Sequence, residues 1–190
     1  MGSKVQNIVL GTLTVCLISL TVIYAVLTQK LDINTNANSK SSTWDIHFEN
    51  LNSSVIGKAK LSSDNQLAIM NDSTTISGSV GNLYLPGDSI IYTFDIVNGG
   101  TIPAVLSISP TISAPECSSL SMTSSNDVCS NVKYTLTYAD GTEIKTGDSL
   151  DEGEKRAAKL TLSLKETMSS VPSEDVDITN IAATLFYSQK

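Results

Sequence analysis

The chain has 190 residues, a formal net charge of −7 and a single histidine. Its 12 basic side chains are scattered, so there is no patch to neutralise a run of phosphates, which argues against nucleic acid as a partner and against an anionic lipid surface. One histidine cannot supply the paired ligands of an H-E-x-x-H metalloprotease, and no G-x-S-x-G elbow is present for a hydrolase, so no enzyme is expected.

The first element is the uncharged run Ile8 to Leu27, IVLGTLTVCLISLTVIYAVL. As a helix rising about 1.5 Å per residue it would match the roughly 30 Å hydrocarbon core of a bilayer. Lys4 and the amino terminus are the positive groups before it, which holds that end in the cytoplasm and exports the other. Residues 1–29 are thus expected to be either a membrane anchor or an export signal. A cleaved signal has an apolar core of roughly 7–15 residues ending in small residues. Here the core is longer, and Tyr24-Ala25-Val26-Leu27 has one small residue. Cys16 lies within this run and reads as an inert packing residue. Residues 30–42 are polar and read as a stalk, in which Leu31-Asp32-Ile33 alternates and could pair as a short strand.

From Trp44 the apolar period becomes two, the signature of half-buried strands. Trp44, Ile46 and Phe48 alternate with Asp45, His47 and Glu49. A weaker run follows, with Val55, Gly57, Ala59 and Leu61 on one side, and then Thr74, Ile76, Gly78 and Val80. Leu85-Pro86-Gly87-Asp88-Ser89 makes a turn, and the strongest strand leaves it, with Ile90, Tyr92, Phe94 and Ile96 facing inward. Asn98-Gly99-Gly100 ends that strand. Ala104, Leu106 and Ile108 suggest another, halted by Pro110. Val132, Tyr134, Leu136 and Tyr138 form the next, and Asp140-Gly141 reverses the chain toward Thr142-Glu143-Ile144. A second turn carries Thr146-Gly147-Asp148-Ser149-Leu150, again with Gly-Asp-Ser, and Glu152-Gly153-Glu154. After it Ala158, Leu160, Leu162 and Leu164 alternate with polar residues, and the last run places Ile181, Ala183, Leu185 and Tyr187 on one side. The two Gly-Asp-Ser turns suggest similar corners, or convergent turn chemistry. No helix is expected beyond the apolar run. The expected fold is all-β: an antiparallel β-sandwich, Ig-like or jelly-roll, over residues 43–190, preceded by one N-terminal transmembrane or signal helix.

Cys117 and Cys129 lie in the polar segment ECSSLSMTSSNDVCS. In an oxidising compartment they are expected to pair, and closing so short a loop stabilises a fold by about 3 kcal/mol. A metal site is the rival, but further soft ligands are lacking. No cofactor is expected. His47 reads as a solvated strand residue. The carboxylates Asp151, Glu152 and Glu154, and Glu174, Asp175 and Asp177, read as solvated turn charge. Calcium is the alternative at Glu174-Asp175-x-Asp177 and at Asp148-x-x-Asp151-Glu152, although neither matches a defined loop motif.

The stretch Leu85 to Gly100 (LPGDSIIYTFDIVNGG) resembles the "PGD, strand, N-x-G" signature of exported bacterial sandwich proteins of the TasA and camelysin type, and of Ig-like surface repeats. Trp44 to Leu51 and the strands YTLTYADGT and ITNIAATLFYSQ look like segments of exported Gram-positive proteins. For the TasA type, the resemblance implies extracellular fibres of a biofilm matrix. In these, one subunit's N-terminal strand completes the next subunit's sheet, with Leu31 to Ser39 as the donor here. The sequence departs from that pattern in its cleavage region and in its two outer cysteines. The expected function is a non-enzymatic cell-surface or matrix structural protein, partnered with the membrane through residues 8–27 and with itself or other surface proteins. The alternative is a membrane-anchored monomeric adhesin or ligand-binding module.

Overall fold

A computed structural model describes Thr14, Leu17 and Leu20, residues 41–168 and residues 171–190. The expectations for the 8–27 span, for Cys16 and for the Leu31–Ser39 donor lie outside the described residues, apart from Thr14, Leu17 and Leu20, which are helical. Among the described residues no helix is long and apolar enough to cross a membrane.

The strands of the described residues lie within the unit Ser42–Lys190. In chain order they are β1 (Ile46–Ile56), β2 (Lys60–Leu61), β3 (Ala68–Ile69), β4 (Thr75–Gly78), β5 (Gly81–Asn82), β6 (Ser89–Asn98), β7 (Ala104–Leu106), β8 (Thr111–Ile112) and β9 (Glu116–Ser118). A helix, α1 (Met122–Asn131), precedes β10 (Val132–Tyr138), β11 (Ser149–Leu150), β12 (Lys155–Leu164), β13 (Asp177–Thr179), β14 (Ile181–Thr184) and β15 (Tyr187–Gln189).

The strands pair as four antiparallel sheets. The first of them, the first layer, has the order β1-β6-β12-β10. The other three are grouped as a second layer, because β13, β14 and β15, one in each, follow one another along the chain. They pair with β5 and β4 on one side and with β9, β8 and β7 on the other, while β2, β3 and β11 lie at the margins. The inward residues of both layers form one buried cluster. On β6, Ile90, Tyr92, Phe94 and Ile96 are buried while Thr93 is exposed, and Ala158, Leu160, Leu162 and Leu164 of β12 are all buried. Each such aliphatic contributes about 1.5–3 kcal/mol by leaving water. Tyr92 ties the layers together by donating its hydroxyl to the Val80 carbonyl at 3.2 Å. Burial pushes its pKa up to about 12, so it remains a donor at neutral pH.

Three turns of one design pin strand ends. They are Leu85-Pro86-Gly87-Asp88, Lys145-Thr146-Gly147-Asp148 and Asp151-Glu152-Gly153-Glu154. In each, the fourth residue's N–H donates to the first residue's carbonyl, at 2.9, 3.1 and 3.0 Å. Glycine stands third, at φ of 88°, 94° and 71°, a conformation that side chains with a Cβ resist. The fourth residue's carboxylate then accepts the first residue's N–H, at 2.8, 3.0 and 2.7 Å. Each turn also brackets a residue on a neighbouring strand with two backbone bonds: Leu164, Leu106 and Asn98 in turn order. The two Gly-Asp-Ser corners are therefore alike in structure, and Gly153-Glu154 is a third that a search for Asp alone overlooks.

Asp88 is the most deeply set of the three acids, at 3% exposed. Burial raises its pKa, but N–H bonds from Lys58, Leu85 and Tyr84 outweigh that and hold the carboxyl below its ordinary value. Gly57, at φ 77°, leaves room for it; a Cβ there would lie 2.1 Å from Asp88 Oδ1.

Two expectations need correction. The segment between the cysteines is not a loop throughout, because Met122–Asn131 is helical. Ser121 caps it by accepting the Ser124 N–H, and Val128 is fully buried beneath it. The residues are weak helix formers without an apolar stripe, so periodicity is silent there and packing prevails. The second correction concerns apolar residues assigned inward. Trp44, Val55 and Ile108 are 42%, 44% and 49% exposed. Trp44 and Ile108 lie beyond the ends of β1 and β7, and the run through Gly57 is broken by that residue's positive φ.

Replacing Asp88 with Ala is expected to cost on the order of 3 kcal/mol, because N–H groups around a buried site lose their acceptor. Urea unfolding at neutral pH would measure it. The folded pKa lies below the ordinary 3.8, so the contribution is complete above that value and fades as pH falls through the folded one. The difference between wild-type and Asp88→Ala stabilities should therefore narrow in strong acid, and a constant difference there would refute this account.

Candidate functional site

The two cysteines named from sequence are brought together. Cys117 on β9 and Cys129 on α1 form a disulfide, with their Cα atoms 5.8 Å apart. The clamp fixes the segment between them, in which Ser119 Oγ lies 2.8 Å from Ser125 Oγ. Leu120 and Met122 stand out from this segment, 99% and 81% exposed.

The titratable residues considered earlier are held apart in other roles. His47 lies on the outer face of the first layer, with Nδ1 2.8 Å from Asp45 Oδ1 and Nε2 4.0 Å from Glu49. Lys155 joins the same face, 2.5 Å from Glu49 and 3.5 Å from Asp95. These exposed pairs contribute little to stability. Glu154 binds Arg156 at 2.6 Å and closes its turn, and Asp177 accepts from Asn82 Nδ2 at 2.8 Å. Among the described residues no group of three or more His, Cys, Asp or Glu is arranged to hold a metal ion.

Two features offer contact to a partner. The first is the free margin of β10. Ala139 N–H donates to Ala157 and Lys165 N–H to Asn131, so the odd-numbered residues of β10 turn their backbone groups toward β12. Tyr134 and Leu136 therefore turn theirs outward. Among the described residues this margin is covered at its far end, where Tyr138 N–H donates to Thr142 at 2.9 Å and Thr137 bridges Glu143.

The second feature is a cleft of about 300 Å³ where the entry to β1 meets the end of the last strand run. The backbone at residues 43–45 forms one wall. Thr101 N–H donates to Thr43 at 2.9 Å and Gly99 N–H to Asp45 at 2.8 Å. Gly100 makes this approach possible, because a Cβ there would sit 2.5 Å from the Thr43 carbonyl. Trp44 and Asp45 are held at the rim as a result. The opposite wall is Leu185, Phe186 and Tyr187, fixed by Leu185 N–H to Thr74 at 3.2 Å and Ser107 N–H to Phe186 at 2.8 Å. Asp72 completes the lining. Its Oδ1 accepts Thr75 N–H at 3.0 Å and its Oδ2 accepts the Thr75 hydroxyl at 2.6 Å. Trp44 and Phe186 are 42% and 46% exposed, whereas burial pushes the Tyr187 hydroxyl far above its ordinary pKa.

Alternation groups Trp44 with Ile46 and Phe48, which are buried, and so gives no sign of this cleft. One signal was available: Phe186 falls out of phase with Ile181, Ala183, Leu185 and Tyr187, which places a large aromatic outward.

No protein-family model, curated protein or solved structure matches this chain.

Replacing Cys117 and Cys129 with Ser should lower stability by about 3 kcal/mol, from the entropy of the opened short loop. Thermal unfolding of that variant beside the oxidised chain measures it, and equal midpoints would show that the clamp stabilises nothing.

Proposed function

We propose that this chain is an exported, non-enzymatic cell-surface or matrix protein. In this reading its apolar leader reaches the membrane and its β-domain works outside the cell. The Cys117–Cys129 pair supports the oxidising side, since structural disulfides persist there and are rare in the cytosol. Strand order supports an Ig-like sandwich. The series β1-β6-β12-β10 follows the A-B-E-D arrangement, and the β7–β9 run beside β13–β15 follows C-F. The place next to F, where a final G strand would lie, is taken by β4 and β5.

The observation that carries a structural role is the part of the β10 margin that no described strand covers. Outward backbone groups at Tyr134 suit an incoming strand, and Lys133 is the charge that guards this edge against indiscriminate pairing. In this reading the donor is Leu31–Ser39 of another copy, and the chain polymerises. The second reading, a monomeric ligand-binding module, is favoured by the aromatic cleft.

Mass spectrometry of the mature N-terminus and electron microscopy of the cell surface test the proposal together. Loss of residues 1 to about 27 with fibres present is the expected result. Deleting Leu31–Ser39 should abolish the fibres while leaving the domain folded. Fibres that persist would remove the donor role, and an intact chain recovered only from cytosol would remove export.

A further inference from the structure

Exposed aromatic rings on this domain are not all in the same state. Lys60 Nζ lies 5.4 Å from the Tyr84 ring centroid, and Arg156 Cζ lies 5.7 Å from that of Tyr138. Each of those rings carries a cation on its negative face. Among the described residues no cation sits over Trp44 or Phe186, although both are about half exposed and line one cleft.

The charge around that cleft has a single sign. Its lining holds Asp45 and Asp72 and no lysine or arginine. Neither carboxylate is ion-paired with a lysine or arginine among the described residues; Asp45 meets only His47. The acceptor capacity of Asp72 is largely taken by the Thr74 and Thr75 N–H groups and the Thr75 hydroxyl. A sugar, which needs directed hydrogen bonds to several side chains, would find few free partners. A cation needs only the negative field and aromatic surface, and among the described residues no lysine or arginine occupies either.

We propose that the cleft lined by Trp44 and Phe186 is a binding site for an organic cation, an ammonium or guanidinium group seated against the aromatic side chains and drawn in by Asp45 and Asp72. The cation is either a free quaternary ammonium of the choline class or a Lys or Arg side chain of a peptide. The inference rests on the cleft alone and stands whether or not the chain forms fibres.

Trp44 is the single tryptophan of the chain, so its fluorescence reports on the cleft directly. The full-length chain, in a non-ionic detergent, would be titrated with choline, with Nα-acetyl-lysine amide and Nα-acetyl-arginine amide, and with the uncharged choline isostere 3,3-dimethylbutanol. A saturable change with at least one cation, weakened by added salt and absent with the isostere, is expected. Saturation by choline alone assigns the free quaternary ammonium, and saturation by the amino-acid amides assigns a basic peptide. Phe186→Ala and Asp45→Asn should each weaken binding roughly fivefold or more, and Phe186→Tyr should restore it. The side-chain amide introduced by Asp45→Asn can still hydrogen-bond His47, and unchanged thermal unfolding of each variant would show that the fold is kept. The proposal is overturned if no cation gives a saturable change at millimolar concentration, if the isostere matches choline, or if folded Phe186→Ala and Asp45→Asn bind like the wild type.

Discussion

The β-structure depends on a carboxylate folded back onto the N–H three residues before it, beside a glycine with positive φ. This arrangement recurs at Asp88, Asp148 and Glu154, and each time it locks the start of one strand to a neighbouring strand through two backbone bonds. Register in a sheet with one buried face is unforgiving, because a slip by one residue sends every buried side chain to solvent. Turns that bond on both sides set the phase of β6 and β12, the two central strands of the first layer. The inward aliphatics of those strands then supply the apolar burial, while the turns specify which residues it is applied to.

This frame leaves its functional features at the margins. The center of each layer is closed by paired strands and shared burial, so contact with a partner falls to edges, to the segment between the cysteines and to the seam between the layers. The free side of β10 and the aromatic cleft differ in kind. The first offers backbone hydrogen bonds, which are indifferent to side chains and suit repeated assembly. The second offers ring faces and negative charge, which discriminate by the charge and shape of a ligand. A protein displayed outside the cell could use both at once, since one lies beside β10 and the other beside β1, at opposite edges of the first layer.

Burial of the strong strands was legible in the linear pattern. The inward sets on β6, β12 and the last strand run are those that alternation names, because side chains of a strand alternate with a period of two whatever the strand packs against. The reversal at Asp140-Gly141 and the pairing of Cys117 with Cys129 were legible for the same local reason, since turn chemistry and short loops act over few residues. The helix α1 was not, because its residues carry no amphipathic period and its support is a buried Val128 and a bond to β9.

Sequence alone, then, determined the all-β character, the inward residues of the main strands, two of the three stapled turns and the cysteine partners. Each depends on neighbours within a few positions along the chain. Tertiary structure decided the order of strands, the outer side of β10, the likeness of the third turn to the other two, and the placing of Trp44 and Phe186 on one cleft. The last pair is separated by nearly the whole domain and reaches one cleft only through the pairing of distant strands. Alternation records which way a residue points on its own strand, but it carries no information about which distant residue faces it across the seam.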